Sequence, residues 1–194
     1  MKLVQGLFLA FLVALCCIPA SALAQDSSWR RQYDFGAYTQ FDLRNSSGNA
    51  ISTHRLLQDV FRTQIKPHMG EKSGNITAGI YSFATTYLTM LWSHEFGHSL
   101  RAKQVGGQFK IHNFGLPIPY TTMHLPSTIS LTDKSLSVTA GFEVNSLSAQ
   151  QIQQEFVAQN GIYNEALGFA FANRLMYPLY SFLIVPRNPK EKDT

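Results

Sequence analysis

The feature that most constrains the fold is an uncharged stretch at residues 76–92. It lies inside a longer apolar segment, residues 78–105, which a cap at Asn75 or Thr77 would open and Gly106-Gly107 would end. A helix that is apolar on all sides must be buried in a protein core or in a membrane. The stretch is close to the ~18–20 residues that a bilayer requires, so both environments stay open.

Composition narrows the class of protein. The chain has 194 residues, of which 45% are hydrophobic and only 14% are charged, whereas about a quarter is usual for charged residues in soluble proteins. Such a chain can build one domain with a hydrophobic core, and part of its surface is expected to meet lipid or another chain. The net charge of +4 is scattered along the sequence, which argues against nucleic-acid binding.

The N-terminus has the pattern of a signal peptide. Lys2 precedes an apolar run at residues 7–18, and residues 22–24 (ALA) supply the small residues of a cleavage site. We therefore predict that residues 1–24 are a signal peptide and that the protein is exported to the periplasm or cell envelope, or outside the cell. An uncleaved membrane anchor is the alternative.

Both cysteines, Cys16 and Cys17, lie within that signal peptide. The mature chain would then have no disulfide and no thiolate. Any metal site must be built from His, Glu or Asp.

The remaining chain predicts a mainly α fold with a small β component, in which one or two helices could associate with a membrane. We interpret residues 25–50 as a polar, loosely ordered lead with one short strand, and residues 51–194 as a single domain. His54 and His68 are expected at the surface. The predicted elements are helices at 52–65, 78–105, 136–156 and 162–185, the last bent or ended at Pro178, a strand at 108–114, an extended segment at 116–120, and loops at 67–75 and 121–133.

The chemistry resides in a His-Glu-x-x-His motif formed by His94, Glu95 and His98. On a helix, positions i and i+4 share a face, so both imidazoles can bind one zinc ion. Glu95 follows the first ligand and can act as the general base for a water molecule. Two histidines and a glutamate are costly to bury in so apolar a helix unless a metal compensates them. The alternative is a pair of core histidines hydrogen-bonded to backbone carbonyls, with Glu95 in solvent.

Residues 94–102 (HEFGHSLRA) resemble the active-site helix of the zincin metallopeptidases, and also that of the site-2 intramembrane proteases. The resemblance covers about 15 residues. It implies a zincin-like metallopeptidase domain at residues 51–194, with zinc as cofactor and a peptide or protein as substrate. It also implies His94 and His98 as ligands and Glu95 as catalytic base.

A catalytic zinc site needs a third protein ligand. Gln104 stands where metzincins place a third histidine, which excludes that branch. The gluzincins use a glutamate on a later helix, and Glu143 fits best because Gly141 would let the two helices approach closely. Leu147 occupies the position of the usual gluzincin aspartate, and His124 is the next candidate ligand.

Two other functions stay open. An intramembrane protease could carry the same motif, although the Asp-Gly pair that supplies its third ligand is absent from the sequence. A non-catalytic zinc-binding envelope protein could keep the helix and lack a cleft. Residues 114–120 could offer an edge for a substrate strand, or could simply form a loop.

Overall fold

The computed structural model describes residues 33–36, 42–113, 119–159, 161–163 and 165–183, so the predicted signal peptide at 1–24 lies outside the described residues. The described part confirms a mainly helical fold with a small sheet. Its main elements are α1 (Leu43–Val60), α2 (Glu71–Gln104), β1 (Gln108–His112), β2 (Tyr120–His124), α3 (Leu131–Gln159) and α4 (Ala166–Leu183).

Helix α1 begins earlier than the sequence predicted. The Asp42 carboxylate accepts a hydrogen bond of 2.8 Å from the backbone N–H of Arg44 and caps the helix. The interpretation of residues 25–50 as an irregular lead is therefore wrong for residues 43–50. The spacing of apolar residues does not reveal the helix here, because several buried positions are polar and contact other polar groups. The Ser47 hydroxyl, for example, donates a hydrogen bond to Gln151 (2.7 Å). A π-helical turn (Phe61–Ile65) and a 3-10 turn (Lys66–His68) follow α1.

Helix α2 starts at Glu71 after the N-cap residue Gly70, so residues 71–75 are helical where a loop was predicted. It ends at Gln104, close to the predicted end at residue 105. Gly106 follows with a φ of 75°, which is a glycine conformation. Of the two predicted environments, burial in a protein core does not apply to its first turns, because Ile76 and Ile80 are 57% and 65% exposed. None of the helices in the described part of the chain combines the length and the apolar character needed to cross a membrane.

The sheet is an antiparallel hairpin that packs against α2. Gln108 pairs with His124 at one end and His112 with Tyr120 at the other. Strand β1 was predicted. The loop expected at 121–133 is confirmed for residues 125–130 and wrong at both ends, since β2 runs to His124 and α3 begins at Leu131. The residues that join the strands, 114–118, lie outside the described residues.

Helix α3 packs against α1, α2 and α4 and is the centre of the helical assembly. It starts before the predicted position because the Ser130 hydroxyl accepts a hydrogen bond from the backbone N–H of Asp133 (3.0 Å). Helix α4 contains Pro178 and continues to Leu183, so the proline does not end it. The main core cluster comprises Ala50, Ile51, Met90, Leu91, Ala149, Ile152, Tyr163, Ala166, Phe169, Ala170 and Ala172.

Candidate metal centre

Helices α2 and α3 come into close contact at two glycines. A Cβ atom on Gly97 would lie 2.6 Å from the backbone oxygen of Ala140. A Cβ atom on Gly141 would lie 2.6 Å from Cδ2, Cε1 and Nε2 of the His94 ring. Both helices therefore need glycine at these positions, as predicted for Gly141, and the imidazole of His94 rests directly on the backbone of α3.

The two histidines of the motif face each other. Their Nε2 atoms are 3.2 Å apart, and the rings meet edge to face with centroids 4.8 Å apart. Two nitrogens bound tetrahedrally to one zinc ion at about 2.0–2.1 Å are separated by roughly 3.3 Å. The spacing of His94 and His98 thus fits two ligands of one zinc ion.

The orientation of His98 also suits a metal ligand. Its Nδ1 atom lies 3.0 Å from the backbone oxygen of Ser137 in α3. Because a carbonyl oxygen only accepts hydrogen bonds, Nδ1 must carry a hydrogen, so the ring in its neutral form keeps a lone pair on Nε2. A histidine that binds a metal through one nitrogen usually donates from the other in this way.

His94 is buried, with 8% of its surface exposed. It contacts the Phe142 ring at a centroid distance of 4.7 Å, and its Nδ1 atom lies 3.4 Å from Nδ2 of Asn145. Burial, together with the neighbouring charge of His98, lowers the pKa of His94 to about 3, while a hydrogen bond to the Gly141 backbone opposes the shift. His94 is therefore neutral near pH 7, which is the form that binds metal.

Glu95 is equally buried, at 8% exposure, and lies under the hairpin. Burial raises the pKa of its carboxyl group, while hydrogen bonds from Thr121 and the charge of His98 favour the ionised form and oppose the shift. The Thr121 hydroxyl oxygen also lies 3.2 Å from the backbone oxygen of Glu95, which places β2 against the motif. A raised pKa brings a carboxylate closer to the value that a general base needs near neutral pH.

The structure does not bring Glu143 to the histidine pair. Its carboxylate forms an ion pair with Arg101 (2.8 Å), and its side chain is 42% exposed. Glu143 is two residues beyond Gly141, which is about 200° around the helix, whereas His94 contacts Gly141, Phe142 and Asn145. Glu143 therefore lies on the other flank of α3.

The other candidate, His124, is exposed at the end of β2, paired with Gln108. Within the residues that the structure describes, no three His, Cys, Asp or Glu side chains are grouped so that they could hold a metal ion. Among the described residues, His94 and His98 are thus brought together without a third ligand of these types.

Sequence reasoning missed three residues that support the motif, namely Ser137, Asn145 and Thr121. Thr121 could have been found from the alternation in residues 120–124, which is typical of a strand. Asn145 is polar and two residues from Glu143, but its type and position do not indicate a contact with His94. Ser137 acts through its backbone oxygen, for which the sequence carries no signal.

The expectation that His54 lies at the surface is wrong, whereas His68 is exposed as predicted. His54 is fully buried because α1 packs it against the core, where its ring stacks on Phe169 at 4.4 Å. Its Nδ1 and Nε2 atoms lie 3.0 Å from the hydroxyl groups of Tyr163 and Thr86. These partners belong to the core, so His54 has a structural role apart from the metal centre.

Comparison of the chain with protein-family models, with curated proteins and with solved structures finds no match.

Proposed function

We propose that this protein is a zinc-dependent peptidase with a zincin-like active-site helix. The observation that carries the proposal is the 3.2 Å separation of the Nε2 atoms of His94 and His98. Two further features support it: the Nδ1 atom of His98 is committed to a backbone oxygen, and burial keeps His94 neutral. An oriented imidazole and a neutral imidazole are both suitable zinc ligands.

In this proposal each residue of the motif has a separate task. His94 and His98 hold the ion, which when bound would lower the pKa of water and polarise the scissile carbonyl group. Glu95 accepts the proton of the attacking water and passes it to the leaving amine. The burial of Glu95 and its hydrogen bonds to Thr121 keep the carboxylate in one orientation for this transfer.

The substrate is proposed to be a peptide or protein, encountered in the cell envelope or outside the cell. Support comes from the resemblance of residues 94–102 to the zincin helix and from the signal-peptide pattern of residues 1–24. The hairpin beside Glu95 offers backbone edges that an extended peptide could pair with.

A second candidate is a zinc-binding envelope protein without catalytic activity. It is favoured by the position of Glu143, which pairs with Arg101 rather than joining the histidines. Two ligands without a third protein donor would bind zinc more weakly than a complete catalytic site. Turnover of a peptide substrate distinguishes the two candidates.

The Glu95→Gln variant tests the mechanism. Glutamine keeps the size of the side chain and cannot accept the proton, so we expect zinc binding to persist and peptide hydrolysis to fall by about 10²–10⁴-fold. The measurement is cleavage of a fluorogenic peptide library by the zinc-loaded protein, with zinc content determined on the same sample.

Glu155→Gln is the matched control, because Glu155 is paired with Arg55 elsewhere on the surface (2.6 Å). It should hydrolyse the library as the wild type does. Full activity of Glu95→Gln would refute the assigned base, and zinc binding without any turnover by the wild type would favour the non-catalytic candidate.

A further inference from the structure

We propose that Asn145 is the positioning residue for His94, and that its side-chain amide fixes the tautomer in which His94 binds zinc. This inference rests on the proposed zinc site. It concerns how the protein prepares that site, and it assigns to Asn145 a role that the sequence did not indicate.

The first observation is an unsatisfied buried atom. Asn145 is 1% exposed and lies on α3, one turn beyond Gly141. Its Oδ1 atom is buried and has no hydrogen-bond partner among the residues that the structure describes, while its Nδ2 atom is 3.4 Å from Nδ1 of His94. A buried amide oxygen without a partner destabilises the folded state and requires an explanation.

The second observation is the chemistry of the facing nitrogens. With Nδ2 of Asn145 towards the ring, the amide donates to Nδ1 of His94, whose hydrogen must then reside on Nε2. That hydrogen points at Nε2 of His98, only 3.2 Å away. In this tautomer Nε2 of His94 donates a hydrogen bond to His98, so Nε2 has no lone pair for a metal ion.

The oxygen and nitrogen of an asparagine side chain occupy nearly the same space, so the amide can be turned by 180°. The turn brings Oδ1 to the His94 ring and places Nδ2 in the buried position that Oδ1 leaves. Oδ1 of Asn145 then accepts the Nδ1 hydrogen of His94, and the unsatisfied oxygen gains its partner. The Nε2 atoms of His94 and His98 then both present lone pairs to the space between them. The orientation of one amide is thereby linked to the ability of His94 to bind metal.

Helix α3 would in this way set the tautomer of both histidines. The backbone oxygen of Ser137 accepts from His98, and Oδ1 of Asn145 accepts from His94 about two helical turns further on. Groups that orient metal-binding histidines typically change metal affinity by 10–100-fold when they are removed.

The test is zinc affinity of the full chain, measured by competition with a chromophoric chelator. Asn145→Leu removes the acceptor, and we expect zinc affinity about 10–100-fold weaker than wild type. Asn145→Asp supplies an oxygen that only accepts, so it should bind zinc at least as tightly as wild type. Asn173→Leu is the matched control, since Asn173 is a buried asparagine (2% exposed) on α4 that donates to the backbone oxygen of Phe169.

Three results would overturn the inference: wild-type affinity in Asn145→Leu, an equal loss in Asn173→Leu, or a loss in Asn145→Asp as large as that in Asn145→Leu. If Asn145→Leu does not fold, the test uses the zinc affinity of Asn145→Asp alone. Wild-type protein that binds no zinc would instead refute the proposed function itself, and the inference with it.

Discussion

At the scale of single residues, His54 shows how burial of one titratable group links folding to pH. It is fully buried, and burial, with a smaller contribution from the charge of Arg55, lowers its pKa from 6.5 to about 3. In the unfolded chain it binds a proton near pH 6.5. The unfolded state therefore binds more protons below this pH, and stability is present above about pH 6.5 and lost as the pH falls towards 3.

We accordingly expect His54 to lower the free energy of unfolding by about 2 kcal/mol between pH 7.5 and pH 5. The measurement is urea unfolding of the metal-free protein across this range, compared with His54→Gln. The variant should be less stable at pH 7.5 and lose less stability on acidification, with His94 accounting for part of the remaining dependence. An identical pH dependence in both proteins would contradict this role.

Glu143 is the residue on which the sequence and the structure differ most. The ion pair with Arg101 joins partly exposed side chains, with 21% exposure for Arg101 and 42% for Glu143. Such a pair contributes about 0–1 kcal/mol.

Glu143→Gln should therefore change stability by less than about 1 kcal/mol and leave zinc affinity close to that of the wild type. Chelator competition and urea unfolding check both expectations. A loss of zinc affinity of tenfold or more would restore Glu143 as the third ligand, as the sequence predicted.

At the scale of elements, the contact between α2 and α3 determines the geometry of the site. The His94 ring occupies the space that a Cβ atom on Gly141 would need, with three ring atoms at 2.6 Å. Any side chain there must move the imidazole or separate the helices.

Gly141→Ala should lower stability by about 1–3 kcal/mol, as overpacking of a tight contact does, and should also weaken zinc binding. Gly79→Ala on α2 is the matched control, because a Cβ atom there meets no atom of the described residues within 4 Å. Alanine at that helical position should be neutral or stabilising by about 0.5–1 kcal/mol. Thermal unfolding and zinc titration of both variants provide the measurement, and normal zinc binding in Gly141→Ala would contradict the role of this contact.

At the scale of the whole molecule, local patterns predicted the elements better than their ends. The i and i+4 spacing of His94 and His98 is decided within one helix, so their proximity could be derived from the sequence. The starts of α1 and α3 were missed because capping by Asp42 and Ser130 outweighs the polar character of the first turns.

The third ligand could not be predicted, because it depends on the rotation of α3 about its axis relative to α2. Gly141 and Asn145 face His94, while Glu143, two residues from each, faces Arg101. A shift of one position along the sequence rotates a side chain by about 100°. Local sequence patterns predict where the helix lies along the chain. They do not predict its rotation about its axis, because that rotation depends on the packing of several elements at once.

The central claim is that His94 and His98 together bind one zinc ion. The most direct test is the zinc stoichiometry and affinity of the wild type and of His94→Asn and His98→Asn. Asparagine places a donor near the position of Nδ1, so His98→Asn can keep the hydrogen bond to Ser137 while it removes Nε2. We predict one zinc per wild-type chain and affinity about a hundredfold or more weaker in each variant, whereas wild type without zinc, or variants with wild-type affinity, would contradict the claim.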